Sequence, residues 1–415
     1  MPAALMLMSL FLAFLPGEAA SGEAKPLEVY ILAGQSNMQG HAHVRTFDAM
    51  GLSEPTAALL REMVDENGSP RVVEDVWISS LGSSAEERSG PLTAGFGAEA
   101  GGPKIGPEFT FGIRMRKSTD RPILIIKTAW GGKSLHTDFR PPSAGPYELN
   151  ERERQKAVQR GEDLATTVAK RRDATGRYYR AMIEHVEKVL SDPKRYAPAY
   201  DAKAGYVLAG FVWFQGWNDM VDGDVYPNRD KPGGYSAYSD VLTHFIRDVR
   251  KDLDAPGLPF VIGVLGVGGP TSDYGPAEVR YKSTHQGFRD AMAAPAKLPE
   301  FQGNTIAVPT ERYWDREYRA LRSRETQSIG AERAKLDAAL KAGEISREAR
   351  AAKLEELDRM HFDARERKIL RESTSNGEYH YLGSARILAP IGNALAEAMI
   401  ELRKRPDTPE AARRR

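Results

Sequence analysis

The chain contains no cysteine in 415 residues. That excludes a disulfide scaffold, a thiolate metal site and a cysteine nucleophile. It also lacks an excess of either charge: 58 basic side chains offset 57 acidic ones, leaving a formal charge of +1. No electrostatic footprint for nucleic acid follows, and the locally basic end, 404–415, reads as a solvated tail. Long apolar runs are missing too. The segment Ala3–Leu15 is apolar but shorter than the roughly 20 residues a bilayer span needs. Small residues follow it (Pro16-Gly17-Glu18-Ala19-Ala20-Ser21-Gly22), so 1–22 reads as a signal peptide, although its start carries no Lys or Arg. The expected destination is the periplasm or the exterior. Cofactor signatures fail as well. Gly263–Gly269 lacks the order and the following helix of a nucleotide loop. His41-Ala42-His43 has no acid at ligand spacing, and Asp222-Gly223-Asp224 stops after two acids. No cofactor and no metal are expected.

What is present is an alternation of strand-like and helix-like segments. Apolar, β-branched runs lie at Leu27–Ala33, Val72–Ile78, Ile123–Thr128, Tyr206–Phe214, Pro259–Leu265 and Thr305–Val308. Helical patterns separate them at Phe109–Lys117, Arg160–Leu190, Tyr235–Leu253, Glu278–Ala293 and Ala385–Arg403. Such alternation predicts an α/β fold: a three-layer α/β/α sandwich around a mainly parallel, doubly wound sheet, with the site at the C-terminal strand edge. One domain is expected over 27–403. Gly90–Pro107 reads as a loop over the site, and the highly charged stretch 331–371 as a protruding helical hairpin.

Four strand ends carry polar chemistry. Val29–Ala33 runs into Gly34-Gln35-Ser36-Asn37-Met38-Gln39-Gly40, which presents a serine at a glycine turn. Met38 stands where a GxSxG elbow needs its second glycine, so the α/β-hydrolase elbow is excluded. Ile123–Ala129 leads to Trp130-Gly131-Gly132. Leu208–Phe214 leads to Gln215-Gly216-Trp217-Asn218-Asp219. A bare glycine N–H and a side-chain amide are what an oxyanion hole requires. Tyr379-His380-Tyr381 supplies a base that titrates near neutrality.

In this order, the four blocks resemble those of the SGNH (GDSL-like) hydrolases, and within them the sialate O-acetylesterase and carbohydrate acetylesterase branch. The resemblance runs from about Leu27 to Leu402. It implies Ser36 as nucleophile and His380 as general base, with the N–H groups of Ser36 and Gly132 and the Asn218 side chain as oxyanion donors. Two departures stand out. Gly377 occupies the position of the family's aspartate three residues before the histidine, and Trp217 the position of a glutamate after Gln-Gly. Glu378 is then the expected acid partner of His380, through a turn at Asn376-Gly377.

Trp130 and Trp217, in turns, are expected to wall the pocket, with Gln35 and Gln215 bonding sugar hydroxyls and His136 and Asp138 as further candidates. The expected activity is hydrolysis of O-acetyl esters on a glycan through an acyl-enzyme. Two alternatives remain at this point: a non-catalytic carbohydrate-binding protein on the same fold, and a lipase-like acyl hydrolase.

Overall fold

The protein is described from a computed structural model that covers residues 24–84 and 86–405 and the backbone of Arg413–Arg414. The expected signal peptide and most of the expected basic tail lie outside the described residues. Within the tail, Arg413–Arg414 pairs antiparallel with Tyr206–Val207.

The central sheet is built from β1 (Leu27–Gly34), β2 (Val76–Gly82), β3 (Arg88–Pro91), β4 (Ile123–Ala129), β5 (Tyr206–Phe214), β6 (Phe260–Val264) and β7 (Thr305–Pro309). Their order is β3-β2-β4-β1-β5-β6-β7, parallel except for the β3 edge, and Arg413–Arg414 adds an antiparallel pairing to the start of β5. Every residue of β1, β4 and β5 is buried, as their unbroken apolar runs demand for strands covered on both faces. After β1 the chain turns toward β2; after β5 it turns the other way, toward β6. The β1–β5 boundary is therefore a topological switch point, and the crevice beyond its carboxyl ends is where a doubly wound sheet binds ligand.

The flanking helices used below are α1 (Ser36–Gln39), α2 (Glu108–Arg116), α3 (Arg177–Ser191), α4 (Trp217–Val221), α5 (Ser236–Asp252), α6 (Lys282–Ala293), α7 (Arg316–Ala342), α8 (Arg347–His361), α9 (Ala364–Glu372) and α10 (Ala385–Lys404). Alternation along β5 shows the two faces. A Cβ on Gly210 would lie 2.2 Å from Met399 Sδ of α10. The next residue outward, Phe211, and Trp213 instead meet Phe245 of α5 at 6.0 and 4.3 Å. α2 packs with α10 on the first face, where Phe111 meets Tyr30 of β1 at 5.5 Å. α3 and α6 join α5 on the other, through Tyr179 on Phe245 and Phe288 on Tyr238. The result is an α/β/α sandwich.

Several expectations shift in detail. The strand placed at Val72–Ile78 is Val76–Gly82, and the helix placed at Arg160–Leu190 breaks at Gly176, whose φ of +68° is left-handed. Part of Gly90–Pro107 is regular: Lys104–Ile105 pairs antiparallel with Ala42–His43, just past α1. The charged hairpin begins earlier than 331. α7 and α8 form it, turning at Gly343 (φ +75°), and α9 folds back on α7. Most of its ion pairs are exposed and contribute little individually.

Candidate active site

Ser36 opens α1 at the end of β1, on the switch-point edge. Gly34 makes the approach possible: a Cβ there would sit 2.1 Å from Phe214 O of β5. Behind the serine, Lys127 is fully buried and donates to Glu108 Oε2 and Gln39 O, both at 2.7 Å, and to Phe96 O at 3.0 Å. The ion pair thereby pins the last residue of α1. Removing one partner of such a buried pair costs about 3–5 kcal/mol.

Opposite Ser36 lies the Gly131–Gly132 turn that follows β4. A Cβ on Gly131 would be 3.9 Å from Ser36 Cβ, and Gly131 N–H donates to Ser83 Oγ at 2.9 Å. Gly132 is left-handed (φ +73°) with open space beside it. Among the described residues, neither Ser36 N–H nor Gly132 N–H has an acceptor in the protein. The Gly132 loop is anchored from below by Asp219. This fully buried carboxylate accepts from Leu135 N–H (2.8 Å), His136 N–H (3.1 Å), Gln215 Nε2 (2.6 Å) and Tyr226 Oη (3.0 Å). Burial first, and then Asp219, push the Tyr226 hydroxyl well above its usual pKa, so the tyrosine stays a donor.

Asn218 is oriented by a chain of amides. Gly216 N–H points at Gln35 Oε1 at 2.8 Å, so Gln35 must present its NH2 group on the other side. That NH2 donates to Asn218 Oδ1 at 2.8 Å. Among the described residues, the Asn218 NH2 group itself has no acceptor. Gln35 is fully buried and committed to this chain, and Gln215 bonds Lys133 O, Asp219 and Tyr238. The expectation that these two glutamines bind sugar hydroxyls is corrected: both have internal partners and no exposure. Trp130 departs likewise. It is 8% exposed and packs on Phe139 and Tyr178, as a core residue. His136 is buried against Thr137, and Asp138 accepts from Ser134 N–H and Oγ. Trp217 alone of the expected wall residues is half exposed, facing Tyr379 at 5.9 Å between ring centroids.

His380 lies on an irregular turn, Glu378–Gly383, that contacts α1. Tyr381, Leu382 and Gly383 are all left-handed, with φ of +52°, +61° and +54°. For the two non-glycine residues this costs on the order of 1–3 kcal/mol each. The turn is held by Tyr381, fully buried, whose hydroxyl accepts from Gly266 N–H and bonds Thr310 Oγ1, both at 2.7 Å. Ser375 ties it to the chain after α1, donating to His41 O and Gly383 O.

The partner of His380 is not Glu378. Asn376 Oδ1 accepts from Gly377 N–H at 2.7 Å and lies 3.0 Å from His380 Nδ1. An oxygen so occupied requires a proton on Nδ1 and leaves Nε2 as the basic nitrogen. Glu378 is exposed, bonds nothing among the described residues, and lines a neighbouring cleft instead. A carboxylate two residues before His380 points away because the turn at Asn376-Gly377 brings the amide, not the acid, under the ring. Asn376 Nδ2 reaches His41 Nδ1 at 3.4 Å, and the His41 ring stacks on His380 at 3.7 Å and 3°. Burial lowers the His380 pKa to about 4. Burial, with His380, Lys104 and Lys127 nearby, lowers that of His41 to about 3. Both rings are neutral near pH 7. In sequence His41 offers only a metal ligand without an acid at its spacing, or a polar loop histidine. Its stacking partner lies more than 300 residues away, and no local pattern signals it.

A serine, a glycine turn and a side-chain amide stand at the switch-point edge of an SGNH-like α/β/α sandwich, with a neutral histidine on a turn that contacts α1. The family profile for carbohydrate esterase, sialic acid-specific acetylesterase matches residues 26–291, and the chain belongs to this family. Similar solved structures include a protein from Arabidopsis thaliana (18% identity, TM-score 0.38, 69% of this chain and 86% of that one). A carbohydrate acetylesterase from Xanthomonas citri is 14% identical (TM-score 0.36, 68% and 49%), and NanS is 14% identical (TM-score 0.38, 69% and 78%). Among curated proteins, nothing matches.

Proposed function

We propose that this carbohydrate O-acetylesterase works through Ser36 and His380, with Asn376 in place of the acid. The observation that carries the reading is the amide chain from Gly216 N–H through Gln35 to Asn218. It has no purpose in packing that an apolar pair would not serve, and it aims an N–H donor where acyl transfer develops charge.

Ser36 Oγ adds to the acetyl carbonyl carbon while its proton passes to His380 Nε2. The carbonyl oxygen becomes an oxyanion held by Ser36 N–H, Gly132 N–H and Asn218 Nδ2. As the intermediate collapses, the C–O bond to the sugar breaks and the imidazolium returns its proton to the departing sugar oxygen. Water, deprotonated by the same nitrogen, then releases acetate from the acyl-enzyme. Asn376 keeps the Nδ1–H tautomer throughout, the role that an asparagine plays beside histidine in papain-like proteases. The neutral His41 face lies against the imidazolium as it forms, without charge repulsion.

A serine-reactive fluorophosphonate should label the wild type at Ser36, and Ser36→Ala should release no acetate from an O-acetylated sugar. Wild-type turnover by that variant would overturn the reading. Export through the segment ending at Gly22 belongs to the same proposal and is tested by fractionating cells that express the full chain.

A further inference from the structure

A cleft of about 380 Å³ opens beside the catalytic edge. It starts at Trp217, next to Asn218, and at Glu378, two residues before His380, and runs along α6 to Tyr274, Tyr281 and His285. Its size lies at the lower end of small-ligand pockets, sufficient for one sugar ring rather than a long acyl chain.

Its chemistry is uneven in a telling way. Large apolar side chains are seldom exposed on this protein, yet Val221 (45%) and Tyr281 (44%) line the cleft, and Tyr379 (46%) stands beside Trp217 at its mouth. Contiguous exposed aromatics mark binding surfaces. Two charges of opposite sign also face the cleft without a charged partner. Among the described residues, Arg229 donates to Met220 O and Val221 O and pairs with no carboxylate, and Glu378 bonds nothing. Deeper in, Tyr274 Oη meets His285 Nδ1 at 2.6 Å, and burial with Arg289 and Arg229 nearby holds His285 neutral, its pKa lowered to about 4.

We infer that this cleft is a subsite for a pyranose ring of the carbohydrate that carries the ester. It rests on the esterase reading above. Aromatic faces take the apolar C–H face of the ring, while the Arg229 guanidinium donates to ring hydroxyls and the Glu378 carboxylate accepts from them. A fatty acyl chain would leave both charges desolvated and unpaired, which disfavours it.

Two substrates separate the cleft from the chemistry: p-nitrophenyl acetate, which has no sugar, and a mono-O-acetylated methyl glucopyranoside. Tyr281→Ala removes a wall, and Thr284→Phe, on the lining face of α6, fills the space. In each, the ratio of kcat/KM for the sugar ester to that for p-nitrophenyl acetate should fall about tenfold, mostly through KM. Unaltered ratios in both variants, with melting curves like the wild type, overturn the subsite. A fluorescence titration of Ser36→Ala with methyl glucopyranoside reads the cleft without chemistry. Saturable quenching that Thr284→Phe abolishes supports the subsite, and its absence in Ser36→Ala counts against it. Failure of the esterase reading looks different: the wild type then turns over neither ester in a Ser36-dependent way.

Discussion

Ser36 and His380, the proposed nucleophile and base, are held by opposite kinds of structure. Ser36 rides on regular elements: a buried parallel strand, a glycine that lets two strands approach, and a short helix pinned by a buried ion pair. His380 rides on a turn with three left-handed residues, held by tertiary hydrogen bonds from Tyr381, Ser375 and Asn376. The first arrangement, a strand ending in a glycine turn, recurs along the chain at β4 and β5. The second depends on a few distant contacts, and no part of it is regular. Placing His380 therefore costs this fold more strain than placing Ser36.

The largest expected effect lies on the regular side. Ser36→Ala should lower kcat by about 10⁴-fold or more with little change in melting temperature, because no other group can form the acyl-enzyme. On the irregular side, Asn376→Ala should lower kcat by about 10²- to 10⁴-fold, since the imidazole loses the acceptor that selects its tautomer. Asn376→Asp sharpens the contrast: an anion beside Nδ1 favours imidazolium, so the acidic limb of kcat/KM should move to higher pH than in the wild type. A limb that does not move would place another group under Nδ1. Asn218→Ala should cost about 10²- to 10³-fold in kcat with KM nearly constant. An effect confined to KM would make Asn218 a ground-state contact.

A smaller effect concerns acid. Burial is the largest cause of the lowered pKa values of His41 (about 3), His185, His285 and His380 (each about 4). The unfolded chain, with ordinary histidines near pH 6.5, therefore binds protons first as pH falls. Stability is complete above about 6.5 and should decline through the window down to about 4, which melting temperatures at several pH values would show. His185→Phe, on α3 against Ser79 of β2, should flatten that slope. Smallest of all, Glu378→Gln should change turnover of p-nitrophenyl acetate far less than Asn376→Ala does. Equal losses would restore the carboxylate as partner.

The legibility of the chain follows the same division. The six parallel strands were readable because each is a short apolar run bounded by turns, and the strand at Tyr206–Phe214 has the bounds its sequence suggests. The edge strand Arg88–Pro91 was not, since Arg-Ser-Gly-Pro has no apolar alternation and pairs only because β2 offers an open edge. Ser36, Gly132 and Asn218 stand together at one edge because each follows a strand. Asn376 was visible four residues before His380, but choosing it over Glu378 required the turn's left-handed residues, and three successive positive φ angles cannot be read from Tyr-Leu-Gly. Gln35, Gln215 and Trp130 misled for another reason: polar or aromatic residues beside a site look alike in sequence whether they face the ligand or hold the groups that do.

Ser36 and His380 lie at opposite ends of the chain, joined through Tyr381 to Gly266 and Thr310 and through α10 to α2. A ribosome has therefore made nearly the whole sheet before the base emerges. Until then Ser36 lacks the base that the proposed mechanism assigns to it. Under the proposed mechanism, products that stop before His380 should release no acetate, so turnover would report a chain made at least as far as the turn that follows α9.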